Sequence, residues 1–396
     1  MQQRAQELSF DGIEHSLLYA NCFCYCAHPH MVKASPGNWL LVFTQSVRRD
    51  IVLHPPQDPL YCNMLMRSHD EGRSWSEPTI VPSYSWRGVE CAGLTALKFG
   101  RILLNQWRFE WHTLAHAQAN LRREDYRRPE ELMGRDAMAA ELADWTPDQA
   151  SIADRYPWAR GSGETWVHRS EDGGATFAKS SRIETSPYSG GYGMRGGLEF
   201  MDGEIILPLC DVPRYRNVFV VRSRDGGETW SPPQHVAGGD GHAFEEPAPL
   251  LLRSGAIVML LRDNTTRDLH CVRSSDGGRS WTAPQATGIA DYPAHVLELP
   301  DGAIACAAGR RRVPFGISLH MSYDGGETWN ACQSITVSPG LHNRDLGYPT
   351  MALRQDGGLF VVYYAQGSDG VTGLHASIVG PELTGALNRK ATHGGR

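Results

Sequence analysis

The chain has 396 residues, 41% hydrophobic and 21% charged, enough apolar material for a sizeable core and too much for general disorder. Lysine and arginine number 38 against 44 aspartates and glutamates, a formal net charge of -6, so no basic field marks nucleic acid as a partner. No apolar run approaches the roughly 18 residues that span a bilayer, and MQQRAQELSFDGIEHSLLYA lacks the basic-then-apolar order of an export signal. We therefore expect a cytoplasmic protein with no membrane partner, exported only if a leader has been removed.

In chain order, the first feature is Cys22, Cys24 and Cys26, which alternate with other residues as one face of a strand. A buried apolar face suits them better than a metal site, since tetrahedral sites favour C-x2-C spacing. The nine cysteines are odd in number and irregularly spaced, which reads as reduced thiols. HMVKASPGNWLLVF then gives an apolar strand, a tight glycine turn and a second apolar strand. The pattern returns in LTALKFGRILLNQW, GLEFMDGEIILPLC, APLLLRSGAIVMLLR, HVLELPDGAIACAAG and TMALRQDGGLFVVYY.

Between these pairs lies a second repeat: SHDEGRSW, SEDGGATF, SRDGGETW, SSDGGRSW and SYDGGETW. In each, an aspartate (Asp70, Asp172, Asp225, Asp276, Asp324) can accept backbone N–H groups across a hairpin turn, glycine permits positive φ, and the last aromatic packs inward. The aspartates lie 102, 53, 51 and 48 residues apart, so the module is about 50 residues long and the first gap holds two modules plus an insertion. Six four-stranded modules, none able to bury its own faces, stack radially. The expected fold is all-β, a six-bladed β-propeller with Asp-box turns, forming one domain over residues 1–396. Residues 112–160, rich in Ala, Leu, Arg and Glu, read as one or two helices inserted in blade two, serving as a lid or as a contact between copies in a homo-oligomer. His112 and His116, four apart there, suit a solvated helix face better than a metal site without a following glutamate.

The glycine turns and Asp boxes share one end of such a propeller. Loops that leave second strands and loops that lead into first strands share the other. Sequence places His28, His30, Arg48, Arg49, Asp50, Glu90, Arg108, Arg195, Asp211, Glu245, Glu246, Arg262, His295, Arg310, Arg311, Arg312, Asp345 and Tyr348 on that second end. Its arginines suit an anionic ligand, because guanidinium pairs bidentately with carboxylate.

These segments resemble the sialidase superfamily, six-bladed propellers with Asp boxes, over nearly the whole chain outside the insertion. FEEPAPLLLRSGAIVMLLR resembles the segment in which a glutamate precedes an arginine by sixteen residues, here Glu246 and Arg262. GRRRVPFGISLHMSYDGGETW puts Arg310 to Arg312 where the family has another carboxylate-binding arginine, and spacing favours Arg312. DLGYPTMALRQDGGLFVVYY resembles the stretch with the nucleophilic tyrosine, here Tyr348. The resemblance implies an exo-glycoside hydrolase that removes a terminal acidic sugar: Tyr348 as nucleophile, Glu246 as its base, Asp50 as acid or as part of a charge cluster with Arg48 and Arg49, and Arg262 with Arg312 as anchors. His28, His30, Arg195, His295 and Arg310 complete the expected substrate-binding set. No organic cofactor and no metal are implied.

One departure stands out. Where the family begins blade one with an arginine-bearing motif, this sequence has AHPHMVKASPG, and His28 takes the arginine's place. Histidine brings a pH-dependent charge, so two further readings stand beside hydrolysis: a lyase that acts on a uronate by His and Tyr acid-base chemistry, and a propeller that binds sugar without catalysis.

Overall fold

Each apolar segment with a central glycine folds as an antiparallel hairpin. In the computed structural model, which describes residues 12–49, 52–81, 88–133, 155–239, 241–331 and 334–383, Cys24–Ser35 pairs with Asn38–Val47 across a turn at Gly37, φ +75°. Adding Cys62–Ser68 and Thr79–Ile80 makes a four-stranded sheet, blade one. Blade two is Gly93–Ala96, Ile102–Thr113, Trp158–Ser170 and Lys179–Ile183. Blade three runs through Ile205–Asp211, Asn217–Ser223 and Gln234–Gly238, with Gly191–Tyr192 and Leu198–Glu199 sharing the inner position. Blades four and five follow the simple order, from Phe244–Leu251 to Gln285–Ala286 and from Ala294–Glu298 to Ile335–Pro339. Blade six, Gly347–Leu353, Leu359–Gln366 and Thr372–Val379, is completed by Glu14–Tyr19, which pairs with Thr372–Val379 and closes the ring. The six-bladed propeller read from the repeats is the fold.

Burial between blades explains why the strands are apolar on both faces. Leu40, Val42 and Leu65 of blade one pack on Leu94, Ile102 and Leu104 of blade two, all nearly inaccessible to solvent. The Asp boxes fasten the opposite edge. In the first, Asp70 Oδ1 accepts the Ser74 amide at 2.8 Å and the Ser68 hydroxyl at 2.9 Å, while Oδ2 accepts Ser74 Oγ at 2.6 Å. Trp75 stacks on Phe360 of blade six at 6.3 Å, and Gly72 passes so close that a Cβ there would lie 2.8 Å from the Phe360 ring. Two expectations change in detail. Cys26 is buried, but Cys22 is exposed and precedes the strand, so the three thiols do not share one face.

The insertion is also shorter than 112–160. His112 and Thr113 continue the blade-two strand, and Trp158 to Arg160 begin the next, because the hairpin pairs Thr113 with Trp158. The chain turns into the helix Leu114–Asn120, whose N-terminus is capped by Thr113 Oγ1 accepting the His116 amide, and then into the helix Pro129–Met133. Residues 134–154 lie outside the described residues. The insertion rests on the face where second strands end: Gln57 Nε2 donates to the Leu132 carbonyl, and Trp158 Nε1 to the Gln57 carbonyl. Among the described residues no helix is long and apolar enough to cross a membrane.

Candidate functional site

Three blades bend at the same point of their first strand. Each carries an X–Pro step, His28–Pro29, Glu246–Pro247 and Tyr348–Pro349, and each slips register there against its second strand. Proline has no ladder N–H to lose at a bulge. The residue before it takes a positive φ: +56° at His28, +53° at Glu246 and +48° at Tyr348. Non-glycine residues in this region carry strain of order 1–3 kcal/mol, held only where the surroundings over-determine it. The result of the three bulges is convergence at the propeller axis. The Tyr348 hydroxyl donates to Glu246 Oε1, and the His28 ring stands edge-on to Tyr348 with centroids 4.5 Å apart.

Cations surround this group. Arg262 Nη1 lies 3.1 Å from Glu246 Oε2 and 3.2 Å from Glu245 Oε1, and its guanidinium covers the Tyr292 ring at 4.5 Å. Burial opposes its charge, but Glu246 and Glu245 outweigh that and raise its pKa. Arg311 lies over Tyr348 at 5.5 Å, donates from Nε to the Leu346 carbonyl at 3.0 Å, and reaches Tyr364 Oη at 3.3 Å. Tyr364 and Tyr25 both donate to Asp345 Oδ1, at 3.0 and 2.9 Å. Arg195 crosses the ring below, with Nε on the Ala294 carbonyl and Nη1 on that of Pro29; its burial lowers its pKa to about 10. Arg195 Nη2 and Arg262 Nε are buried without a hydrogen-bond partner among the described residues.

The acids are correspondingly perturbed. Burial pushes Glu90 up to about 7, against the hydrogen bond it accepts from Tyr215 Oη at 2.8 Å. Burial, with Glu246 alongside and Arg262 opposing, raises Glu245 to about 6. Burial and then the Glu246 carboxylate hold Tyr348 well above the ordinary phenol value, so it sits protonated. His28 is driven the other way by burial, His54, Arg311 and Arg195, and is neutral. Thr44 Oγ1 donates to the Ala27 carbonyl and so accepts from His28 Nδ1 at 2.7 Å, an assignment from the network that leaves Nε2 as a lone-pair base.

The expected residues divide on these coordinates. Tyr348, Glu246, Arg262, His28 and Arg195 come together. Arg312 does not: it is over half exposed and pairs with Asp291 at 2.5 Å, because the chain has left the strand Ile304–Arg310 and turns it outward. Arg311 occupies the place expected of Arg312. Arg310 is buried at the strand end, its Nη2 against Gly316. His30 and His295 are clasps between blades instead of ligand-facing groups: His30 Nδ1 accepts the Leu94 amide at 3.0 Å and His295 Nδ1 the Met351 amide at 3.3 Å. Thr350 and Thr95 do the same for Met31 and Gly197, so first-strand amides find acceptors on the neighbouring blade. Asp50 lies outside the described residues. Sequence reasoning named the run Arg310 to Arg312 but favoured Arg312 over Arg311, and left Glu90 without a role; the repeated X–Pro step was the available signal that His28, Glu246 and Tyr348 are equivalent positions.

A cavity of about 1060 Å³ opens beside the pit, bordered by His54, whose ring is 6.0 Å from His28, and by Tyr215. At its edge the ligand atoms of His242, Asp263 and His270 fall within 4.8 Å of one another. Asp263 accepts His242 Nδ1 at 2.7 Å, Thr266 Oγ1 at 2.9 Å and the Ala243 and Thr265 amides at 3.0 Å. Both carboxylate oxygens are thus engaged, which is the geometry of an acid orienting an imidazole more than of an open metal site.

Comparison with solved structures gives the same fold at low identity. A crystal structure of a protein of unknown function from Dyadobacter fermentans is 22% identical, with a TM-score of 0.76, covering 94% of this chain and 100% of that one. NanB sialidase from Streptococcus pneumoniae is 11% identical over 92% of this chain and 70% of its own, TM-score 0.65. Trypanosoma rangeli sialidase, solved with sialic acid, is 14% identical over 97% and 62%, TM-score 0.64. Curated proteins give no match. The family described as BNR repeat-like domain matches residues 153–361, more than half of the chain. The repeats, the closed ring and this match together make the protein a member of the BNR repeat-like domain family, a sialidase-like six-bladed propeller.

Proposed function

We propose that the protein is a retaining exo-glycoside hydrolase that removes a terminal acidic sugar. The observation that carries this reading is the hydrogen-bonded series Tyr348–Glu246–Arg262, drawn from blades four and six to one point on the axis. Tyr348 Oη attacks the anomeric carbon as its proton passes to Glu246 Oε1. The glycosidic C–O bond breaks, and an acid protonates the leaving oxygen; Asp50 is our assignment for that acid. Water then attacks the anomeric carbon, giving its proton to the carboxylate that the acid of the first step has become, and the bond from that carbon to Tyr348 Oη breaks as Glu246 returns its proton to the phenolate oxygen. A phenol that gives its proton to Glu246 as it attacks serves in place of a carboxylate nucleophile, which would repel the substrate's own carboxylate. Arg311 and Arg262 hold the sugar carboxylate, and neutral His28 adds no charge to that clamp.

One observation favours a second reading. An unprotonated His28 Nε2 beside Tyr348 is the arrangement of a base and an acid for elimination from a uronate. Product analysis on a panel of acidic glycosides separates the two: hydrolysis releases a reducing sugar, elimination an unsaturated product that absorbs in the ultraviolet. Reducing ends without ultraviolet absorption, lost in Tyr348→Phe while ligand binding persists, support hydrolysis. Ultraviolet-absorbing product, lost in His28→Ala, replaces it with elimination.

A further inference from the structure

The cavity beside the pit carries a charge that the removal of a single terminal sugar does not use. Among the described residues four arginines line it, Arg127, Arg160, Arg214 and Arg216, against one carboxylate, Glu131. Glu131 is already engaged by Arg123 at 2.6 Å and by the Arg128 amide at 2.8 Å, with Arg127 beside it, and it pairs with neither Arg214 nor Arg216. Backbone carbonyls fix two of them: Arg160 donates to Pro56 at 2.6 Å and lies over Phe109 at 4.7 Å, and Arg127 donates to Glu124 and Tyr126.

The other two sit on a loop pinned from within. Tyr215, at φ +51°, turns inward to Glu90, and its amide donates to the Asp211 carbonyl at 2.8 Å. Buried Asp211 accepts the Arg216 and Asn217 amides on Oδ1, both at 2.7 Å. Arg214 and Arg216, flanking the anchored tyrosine, are therefore presented outward; both are exposed, and neither has an ion-pair partner among the described residues. At about 1060 Å³ the space also exceeds what one sugar ring fills, lying at the upper end of the ~300–1,000 Å³ typical of sites for drug-sized ligands.

We propose that this cavity binds the continuing chain of a polyanionic oligosaccharide, so that the substrate carries carboxylate or sulfate groups on the units beyond the one at Tyr348. The inference rests on the acidic-sugar reading of the pit and names the substrate class: a multiply charged glycan, held at one end by Arg311 and Arg262 and along its length by the arginine wall. Exposed guanidinium pairs are individually weak and screened by salt, so affinity comes from their number and falls as ionic strength rises.

Calorimetric binding of three tetrasaccharides to the full chain tests it: an oligouronate, a sulfated oligosaccharide and a neutral chain of the same length. The account expects one or both charged probes to bind at least tenfold more tightly than the neutral one, with affinity falling on raising salt. Replacing Arg214 and Arg216 by Gln should weaken the preferred probe by roughly tenfold, and replacing both by Lys should keep most of it. Preference for the uronate or the sulfated probe identifies the anion. Equal binding of charged and neutral chains, or affinity untouched in the Gln variant, overturns the proposal. Because the readout is binding, it separates from catalysis: tight, arginine-dependent binding with no turnover would sink the hydrolase reading alone, and turnover of simple acidic glycosides with no charge preference along the chain would sink this inference alone.

Discussion

The two ends of the propeller treat the same functional group in opposite ways. At the Asp-box end, Asp70 and Asp172 sit in water and accept hydrogen bonds from hydroxyls and amides of their own turn, which holds each pKa down to about 2. At the pit end, burial pushes Glu245 up to about 6 and Glu90 up to about 7. The turn end repeats five times, uses glycine at most of its positive-φ positions, with Glu71 and Phe99 as exceptions, and has its Asp-box carboxylates satisfied locally. The pit end repeats only an X–Pro bulge, in three blades, and fills its positive-φ position with three different residues, His28, Glu246 and Tyr348. The same backbone repeat thus carries identical, exposed acids at one end and different, buried, pKa-shifted groups at the other.

This contrast can be broken most sharply at the pit. Tyr348→Phe is expected to lower turnover of an acidic glycoside by roughly 10³-fold or more while the melting temperature stays near that of the parent, as steady-state kinetics and calorimetry would read. Next, Arg311→Ala should raise KM for the same substrate by about 100-fold, the scale of losing a buried charged hydrogen bond. Arg312→Ala should leave KM within about twofold, since its partner, the buried Asp291, lies outside the pit; a reversal of the two would restore the spacing-based assignment.

A third test joins the ends of the comparison through the backbone. Gly196, at φ +67°, passes so close to blade two that a Cβ would lie 2.0 Å from the Leu94 carbonyl oxygen. Gly196→Ala should cost roughly 2–3 kcal/mol in denaturant unfolding and disturb the neighbouring Arg195. The remaining tests are in pH dependence, and they carry opposite signs. The folded state holds the Glu90 proton more tightly than the unfolded chain, so its contribution is present below pH about 4.5 and is lost as pH rises toward about 7; Glu90→Gln should flatten that decline. Asp70 is shifted down, so its contribution is present above about 3.8 and is lost as pH falls toward about 2; Asp70→Asn should remove that part of the acid sensitivity.

What was readable in the sequence follows the same division. The Asp boxes and glycine hairpins are local patterns whose chemistry closes within eight residues, so blade count and ring closure were legible, and with them the end at which His28, Glu246 and Tyr348 gather. Glu246 and Arg262 were legible by their spacing in one hairpin, and Tyr348 through its resemblance. The choice among Arg310, Arg311 and Arg312 was not, because it depends on where a strand ends and the alternation of sides stops. Nor were the roles of His30 and His295, since an imidazole that caps the next blade's amide is set by a neighbour far away in sequence. The extent of the insertion was blurred because the blade-two hairpin extends through His112 and Thr113, residues whose composition matched the helices that follow.

The central claim is that Tyr348, activated by Glu246, forms a bond to the sugar. The most direct measurement is intact-protein and peptide mass spectrometry after incubation with an acidic glycoside that carries a fluoride leaving group and a fluorine beside the anomeric carbon, which slows hydrolysis of the glycosyl-enzyme. The account expects one glycosyl group per chain, on the peptide containing Tyr348, and none in Glu246→Gln over the same interval. An adduct on a different residue, or steady turnover of unfluorinated substrate with no adduct on Tyr348, would contradict it.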